Sequence, residues 1–210
     1  KCYVGLGDYM SAEKTLDKIE AKRNALTKHQ KEFNLTYADM LLQQGFTLEA
    51  VDRLKLASAN IKSSRKKSRY NFIIAQIYQE AGNLEMAKKY YEKVLGSNPE
   101  YDMAFNAKIN LAKSLRNQED LSEMKKSLLK MIKDEKNKEY LDQIHFTLGE
   151  IHLIERDTSK AVENFNKSYK LSVQNDLQKS QSFLALGKIY FHKNNFKKSQ
   201  VYYDSAYIFM

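Results

Sequence analysis

Two histidines seven residues apart, in the run HFTLGEIH from His145 to His152, are the first groups in this chain that could do chemistry. Metal ligands on one helix are usually three or four residues apart, with a carboxylate close by. HFTLGEIH is not the HExxH pattern, so no metal site is expected. His29 and His192 stand apart from that pair. The sequence has no Ser-His-Asp order, no glycine loop to cradle phosphate and no isolated carboxylate pair. Its acids scatter at salt-bridge spacing over what read as helix faces. Neither catalysis nor a cofactor is expected. The lone Cys2 excludes an internal disulfide and a cysteine metal site. It falls five residues before a glycine turn, inside a helical stretch, so a packed or half-buried thiol is expected.

Charge is the second resource. The net charge of +9 permits an acidic partner without requiring one. From Arg53 to Gln79 the chain carries seven cations and no acid, densest at Lys62, Arg65, Lys66, Lys67 and Arg69. Phosphates or an acidic protein surface could bind there; a solvated, slightly positive turn is the plainer reading. Nothing resembles a groove-reading helix or a stacking platform, because the Tyr and Phe residues fall on packing positions. No nucleic-acid partner is expected.

The elements that must position these groups are legible from composition and period. Seven Gly and one Pro in 210 residues, with abundant Lys, Glu, Leu, Ala and Gln, indicate an all-helical chain. No apolar run approaches the roughly 20 residues of a membrane-spanning helix. Four positions then recur in one register. Turn residues fall at Gly7, Gly45, Gly82, Glu119, Arg156 and Asn194, in steps of 37 or 38. A small residue recurs at Ala38, Ala75, Ala112, Gly149 and Gly187, and a second one at Ala12, Ala50, Ala87, Met124, Ala161 and Ser199. A bulky plug recurs at Leu16, Leu54, Tyr91, Leu128, Phe165 and Tyr203.

The clearest unit, Ser68 to Pro99, resembles a tetratricopeptide repeat (TPR). Its marks are Ala75 and Tyr78, then Gly82-Asn83-Leu84, then Ala87 and Tyr91, and Pro99 at the exit. That pattern's Trp is absent. The resemblance implies a right-handed α-solenoid of antiparallel helix pairs, one array over 1–210 with five full repeats after a truncated one. The units read as 1–24, 31–62, 68–99, 105–134, 142–172 and 180–210. First helices are expected near 32–44, 69–81, 103–117, 139–155 and 177–193, and second helices near 9–24, 47–62, 84–96, 120–134, 158–172 and 196–210. The usual period is about 34 residues, so each unit carries about one extra turn. Asn60 to Lys67, Lys133 to Lys138 and Leu171 to Asp176 are the candidates for it, as longer second helices or the junctions after them. The apolar last helix, with Tyr202, Tyr207, Ile208 and Phe209, leads us to expect that the protein continues past Met210. Any natural start is expected upstream of Lys1.

In TPR arrays the first helices line a concave face. Alignment on the small position puts Asp39, Gln76, Lys113, Glu150 and Lys188 into that groove. Leu42, Gln79, Arg116, Leu153 and Phe191 follow three residues on, and Leu35, Phe72, Ile109, Phe146 and Leu184 lie one turn before. Asn106, Asn110 and Gln143 extend the row; the two Asn amides could bond a partner's backbone or the neighbouring repeat. Co-chaperone TPR domains grip a terminal carboxylate with Lys and Asn, but the equivalent of their first clamp Lys is apolar in every full repeat here. A protein segment of mixed character is therefore the expected ligand.

Three further stretches, Tyr101 to Asn110, Asp134 to Ile144 and Tyr202 to Ala206, with Asn175-Asp176 and Gln178-Lys179 between them, resemble the TPR lipoprotein of Bacteroidota gliding motility and type IX secretion (the PorW/SprE family). The likeness runs over about residues 34–206. It implies a non-enzymatic scaffold on the periplasmic face of the outer membrane. Its partners would be other proteins of the secretion machine, and its membrane contact only a lipid anchor outside this chain. The alternative is a TPR sensor or regulatory segment of a cytoplasmic signalling or transcription-control protein.

Overall fold

A computed structural model describes residues 2–21 and 29–210. The last three positions of the helix expected at 9–24, and the first position of the chain, lie outside these. The described residues form twelve α-helices and no strand. The architecture is all-α, of the solenoid class.

The chain divides into two compact units, Lys1–Ser114 and Leu115–Met210. The first holds α1 (Cys2–Gly5), α2 (Tyr9–Glu20), α3 (Gln30–Gln43), α4 (Thr47–Ser58), α5 (Ser64–Glu80), α6 (Leu84–Leu95) and α7 (Tyr101–Ser114). The second holds α8 (Gln118–Ile132), a 3-10 helix (Glu135–Tyr140), α9 (Leu141–Ile154), α10 (Thr158–Leu171), α11 (Asp176–His192) and α12 (Phe196–Ile208). Within each unit, successive helices pack as antiparallel pairs, α3 on α4, α5 on α6, α9 on α10 and α11 on α12.

The turns show why each pair forms. Gly7, Gly45 and Gly82 have φ of 73°, 83° and 76°, the left-handed conformation that closes a helix. Arg156 and Asn194 take the same conformation without being glycine, at 62° and 56°. In most turns the next residue caps the following helix. Asn83 accepts from the backbone of Met86 (3.2 Å), Asp157 from Lys160 (3.0 Å) and Asn195 from Lys198 (3.2 Å).

Glu119, expected as the fourth turn, instead lies inside α8. Asn117 accepts from the backbone of Asp120 at 2.8 Å and starts the helix early. The capping Asn117 sets the boundary ahead of the position that takes the left-handed turn in the other repeats. The packing register survives the shift, since Met124 and Leu128 are still buried.

The surplus turn at 60–67 is also placed differently from expectation. The second helix α4 stops at Ser58, and Ser64 to Lys67 become the first turn of α5, capped by Ser63. Polar residues suffice there because a first turn on the surface needs a cap more than an apolar stripe. Cys2 is exposed, against the expectation of a packed thiol. Val4 takes the buried position of the four-residue helix α1 instead.

At the helix crossings the small residues are small for a measurable reason. A Cβ added at Gly149 would stand 2.6 Å from Cε1 of Phe165, and one at Gly187 would stand 2.8 Å from Cε1 of Tyr203. Ala75, Ala87, Ala161 and the plugs Tyr91, Leu128 and Phe165 are all fully buried.

Candidate protein-binding groove

In the second unit, α9 and α11 face each other across a groove of about 460 Å³ floored by Phe165 of α10. Phe146, Glu150 and Leu153 line one bank, and Leu184, Lys188, Ile189 and His192 the other. Gly149 makes this floor possible, because any side chain there would push the Phe165 ring away. The rings of Phe146 and Phe165 meet at 5.2 Å between centroids. The site is thus an apolar trough with an acid on one wall and a cation on the other. Of the residues expected in the groove, Glu150, Leu153, Phe146, Leu184 and Lys188 are brought together here; Ala185, Ile189, Phe165 and His192 were not singled out. A signal for Phe165 was present, since its plug position sits opposite Gly149.

The other candidates are placed differently. Gln76 is exposed on α5. Gln79 is committed within the fold: it accepts from the Tyr91 hydroxyl at 2.7 Å and donates to the Asn110 carbonyl at 3.4 Å. Asn106 donates back to the Asp102 carbonyl of its own helix at 2.8 Å, and Asn110 is half-buried. Lys113 lies in the last turn of α7. Arg116 is displaced from the expected row, because α7 ends at Ser114 and its guanidinium donates to the Leu115 carbonyl at 2.6 Å. Gln143 is half-buried and its backbone N–H is taken by Asp142.

Beside the groove, the two histidines of α9 take separate partners. His145 Nδ1 lies 3.0 Å from Asn164 Oδ1. Because the Asn164 amide nitrogen already donates to Lys160, that histidine nitrogen is the donor. His152 Nδ1 lies 3.2 Å from Glu155, whose two oxygens also hold Lys125 at 2.6 and 2.7 Å. Burial pushes the pKa of both histidines below the usual value, with Lys125 adding to the effect at His152. The Lys125 hydrogen bonds draw the Glu155 carboxyl below its usual range. Among the described residues no group of three or more His, Cys, Asp or Glu is arranged to hold a metal. No described helix is long and apolar enough to cross a membrane.

Behind the groove, α9, α10 and α11 are joined by a buried polar seam. Asp142, Ser168, Ser172 and Ser182 are each at most 3% exposed. Ser168 donates to the Asp142 carbonyl at 2.8 Å, and Asn175 to Oδ2 of the Asp142 carboxylate at 2.9 Å. Ser172 Oγ stands 3.1 Å from that same carboxylate oxygen, and the Gln143 N–H donates to Oδ1 at 2.8 Å. Ser182 Oγ is 2.8 Å from Ser168 Oγ. No apolar period betrays such a seam.

The basic candidates cluster around the start of α5. Lys62, Arg65, Lys66 and Arg69 are exposed, and Lys67 is half-buried. Arg65 reaches Glu100 at 3.4 Å, an exposed and weak pair.

Comparison with known proteins agrees with the helical-repeat fold. Residues 68–101 match the tetratricopeptide repeat family. None of the curated proteins matches the chain. Among solved structures, apo RapI superposes with a TM-score of 0.70 at 13% identity, over 95% of this chain and 58% of RapI. BtubC from P. vanneervenii gives 0.64 at 16% identity, over 96% of this chain and 89% of that one. NprR in complex with its cognate peptide NprX gives 0.61 at 15%, over 97% and 63%. At these identities the likeness is one of fold.

Proposed function

We propose that this protein is a non-enzymatic scaffold that holds a segment of a partner protein in the α9–α11 groove. The observation that carries the reading is the trough itself: apolar floor and walls, with Glu150 and Lys188 on opposite banks. An apolar cleft with a few polar groups of opposite sign suits an extended or helical segment with one bulky anchor flanked by charges. A fold shared with NprR, solved in complex with its cognate peptide NprX, supports it.

The setting we propose is the one implied by the resemblance of Tyr101 to Asn110, Asp134 to Ile144 and Tyr202 to Ala206. The scaffold would then work on the periplasmic side of the outer membrane, among components of type IX secretion and gliding motility. The second reading is a sensor or regulatory segment of a cytoplasmic signalling or transcription-control protein, its groove holding a peptide as NprR holds NprX.

The test is a photo-crosslinker at Leu153 of the protein in its native cells, with crosslinked partners identified by mass. Envelope secretion proteins are expected. Exchanging the groove charges (Glu150→Lys with Lys188→Glu) should weaken their capture about tenfold. Undiminished capture by the double variant would remove the groove from the proposal. Recovery of cytoplasmic proteins alone would replace the secretion setting with the sensor reading.

A further inference from the structure

We propose that the α9–α11 groove opens, where those two helices end, onto a shelf made by the rings of Phe191 and Phe196, and that this shelf selects a partner segment whose apolar anchor is flanked by acidic side chains. The selection rests on the groove holding a protein segment, and it gives that segment its charge. His192 lines the groove together with Lys188 and Leu153. The Phe191 ring lies 6.1 Å from the His192 ring, and Phe196, the first residue of α12, meets Phe191 edge to face at 5.5 Å. Helix phase alone puts Phe191 in the groove row. The left-handed Asn194 and the capping Asn195 then turn the chain so sharply that Phe196 comes back against it. The two rings are 51% and 58% exposed, so an aromatic pair stands open where the trough ends.

The charges beside that pair are of one sign. Lys188 stands on the groove bank, Lys193 follows His192 at the end of α11, and Lys197 follows Phe196. All three are exposed, and none is held in an ion pair among the described residues. The acids nearby are distant or engaged. Asp176 opens α11 and Asp204 lies on α12, and these are the only acids of the two helices. At the helical rise per residue they stand about 24 Å from His192 and about 12 Å from Phe196. In the adjoining α9–α10 turn, Lys125 holds Glu155 at 2.6 Å and Lys160 holds Asp157 at 2.9 Å. Glu163 on α10 pairs with Lys167 at 2.6 Å. Glu150 is the acid among the groove's lining residues, on the bank opposite Lys188. The occupant is therefore acidic over the shelf and neutral or basic where it passes Glu150.

A polypeptide suits this surface better than another polyanion. The rings of Phe191 and Phe196 cross at 72°, which makes a corner for one side chain and no face along which successive bases stack. The other open ring of α12, Tyr207, lies about 16 Å further along the helix. A phosphate strand continuing into the trough would meet Glu150. A flat bilayer could touch the shelf without entering the trough. A peptide can place an apolar side chain in the corner, carboxylates on the lysines and a base on Glu150.

Selection of a random peptide library on the immobilised protein tests the shelf, with the peptides displayed on phage so that no C-terminal carboxylate is free. Enriched sequences are expected to set Leu, Phe or Trp beside Asp or Glu. An enriched peptide with blocked ends and a fluorescein label should bind in fluorescence anisotropy, and less tightly as salt rises. Lys193→Gln with Lys197→Gln should weaken it about tenfold at an unchanged melting temperature, since both side chains are exposed. Phe191→Ser with Phe196→Ser should weaken it as well, and so should Leu153→Gln in the trough. Enrichment of sequences without acids, or equal binding by the two-lysine variant, overturns the shelf and leaves the groove standing. Binding that ignores Leu153→Gln but needs the two lysines overturns the groove and leaves the shelf. No enrichment over the bare support removes both. Tighter binding of oligothymidylate or of phosphatidylserine vesicles than of any enriched peptide, lost in the two-phenylalanine variant, overturns the choice of a polypeptide.

Discussion

The two units of this chain fill one register with different chemistry. Where three helices meet in the first unit, the register positions are Ser68 on α5, Val94 on α6 and Ala107 on α7. All three are buried, and the Ser68 hydroxyl is satisfied by its own helix at the Arg65 carbonyl. Two repeats later the same positions are Asp142, Ser168 and Ser182, equally buried but bonded across helices. The crossings differ as well: Ala75 and Ala112 in the first unit, Gly149 and Gly187 in the second. A repeat period thus dictates where helices touch, while the means of contact stays open. Apolar closure is tolerant of small shifts. A hydrogen-bonded seam is directional and exacts a heavier loss when one member is removed.

The sharpest way to break the comparison is at Asp142. Asp142→Ala should cost about 3 kcal/mol, because Asn175 and the Gln143 N–H lose their acceptor inside the fold. Ser68→Ala in the first unit should cost under about 1 kcal/mol. Equal costs in urea unfolding would mean that the seams are alike. Gly149→Ala comes next. Its methyl would stand 2.6 Å from Phe165, so about 2 kcal/mol is expected. Ala75→Gly in the first unit should cost about 1 kcal/mol from helix propensity. A neutral Gly149→Ala in thermal melts would show that the Phe165 ring can step aside.

The smallest expected difference is in pH dependence, and it belongs to the second unit. His145 and His152 are held below their usual pKa by burial. As pH falls past about 6.5 the unfolded chain takes protons that the folded unit refuses, and stability declines until the lowered folded values are passed. Glu155 is depressed instead. Its contribution is whole above the ordinary carboxylate value and is lost as pH falls through its lowered one. The first unit's described histidine, His29, is exposed. Hydrogen exchange by mass spectrometry at pH 5 and 7.5, corrected for intrinsic rates, should show lost protection in α9 and α10 beyond that in α5 and α6. Uniform loss would contradict this assignment.

Most of the helical frame was legible because packing positions repeat every 37 or 38 residues and burial follows them. The frame failed where a cap decides a boundary: Asn117 moved one turn by about three residues, and Ser63 turned a polar junction into the start of α5. The groove was half legible. Glu150, Lys188, Leu153, Phe146 and Leu184 follow from helix phase, whereas Arg116 was lost with the displaced turn and Gln79 to the Tyr91 hydroxyl. The Asp142 seam left no trace in the apolar pattern. Its polar residues resemble solvent-facing ones until the tertiary partners are known.

That seam also answers a hazard of repetition. Helix pairs cut to one template can mate with the wrong copy while the chain is folding, or with the same helix of another molecule. Set against a face of the Val94 and Ala107 kind, Asp142 would be sealed away with no donor, at a cost no apolar mispairing incurs. Set between Ser168, Ser172 and Asn175 it is satisfied. The carboxylate therefore works as an address: among near-identical neighbours, it lets α9 recognise only its own.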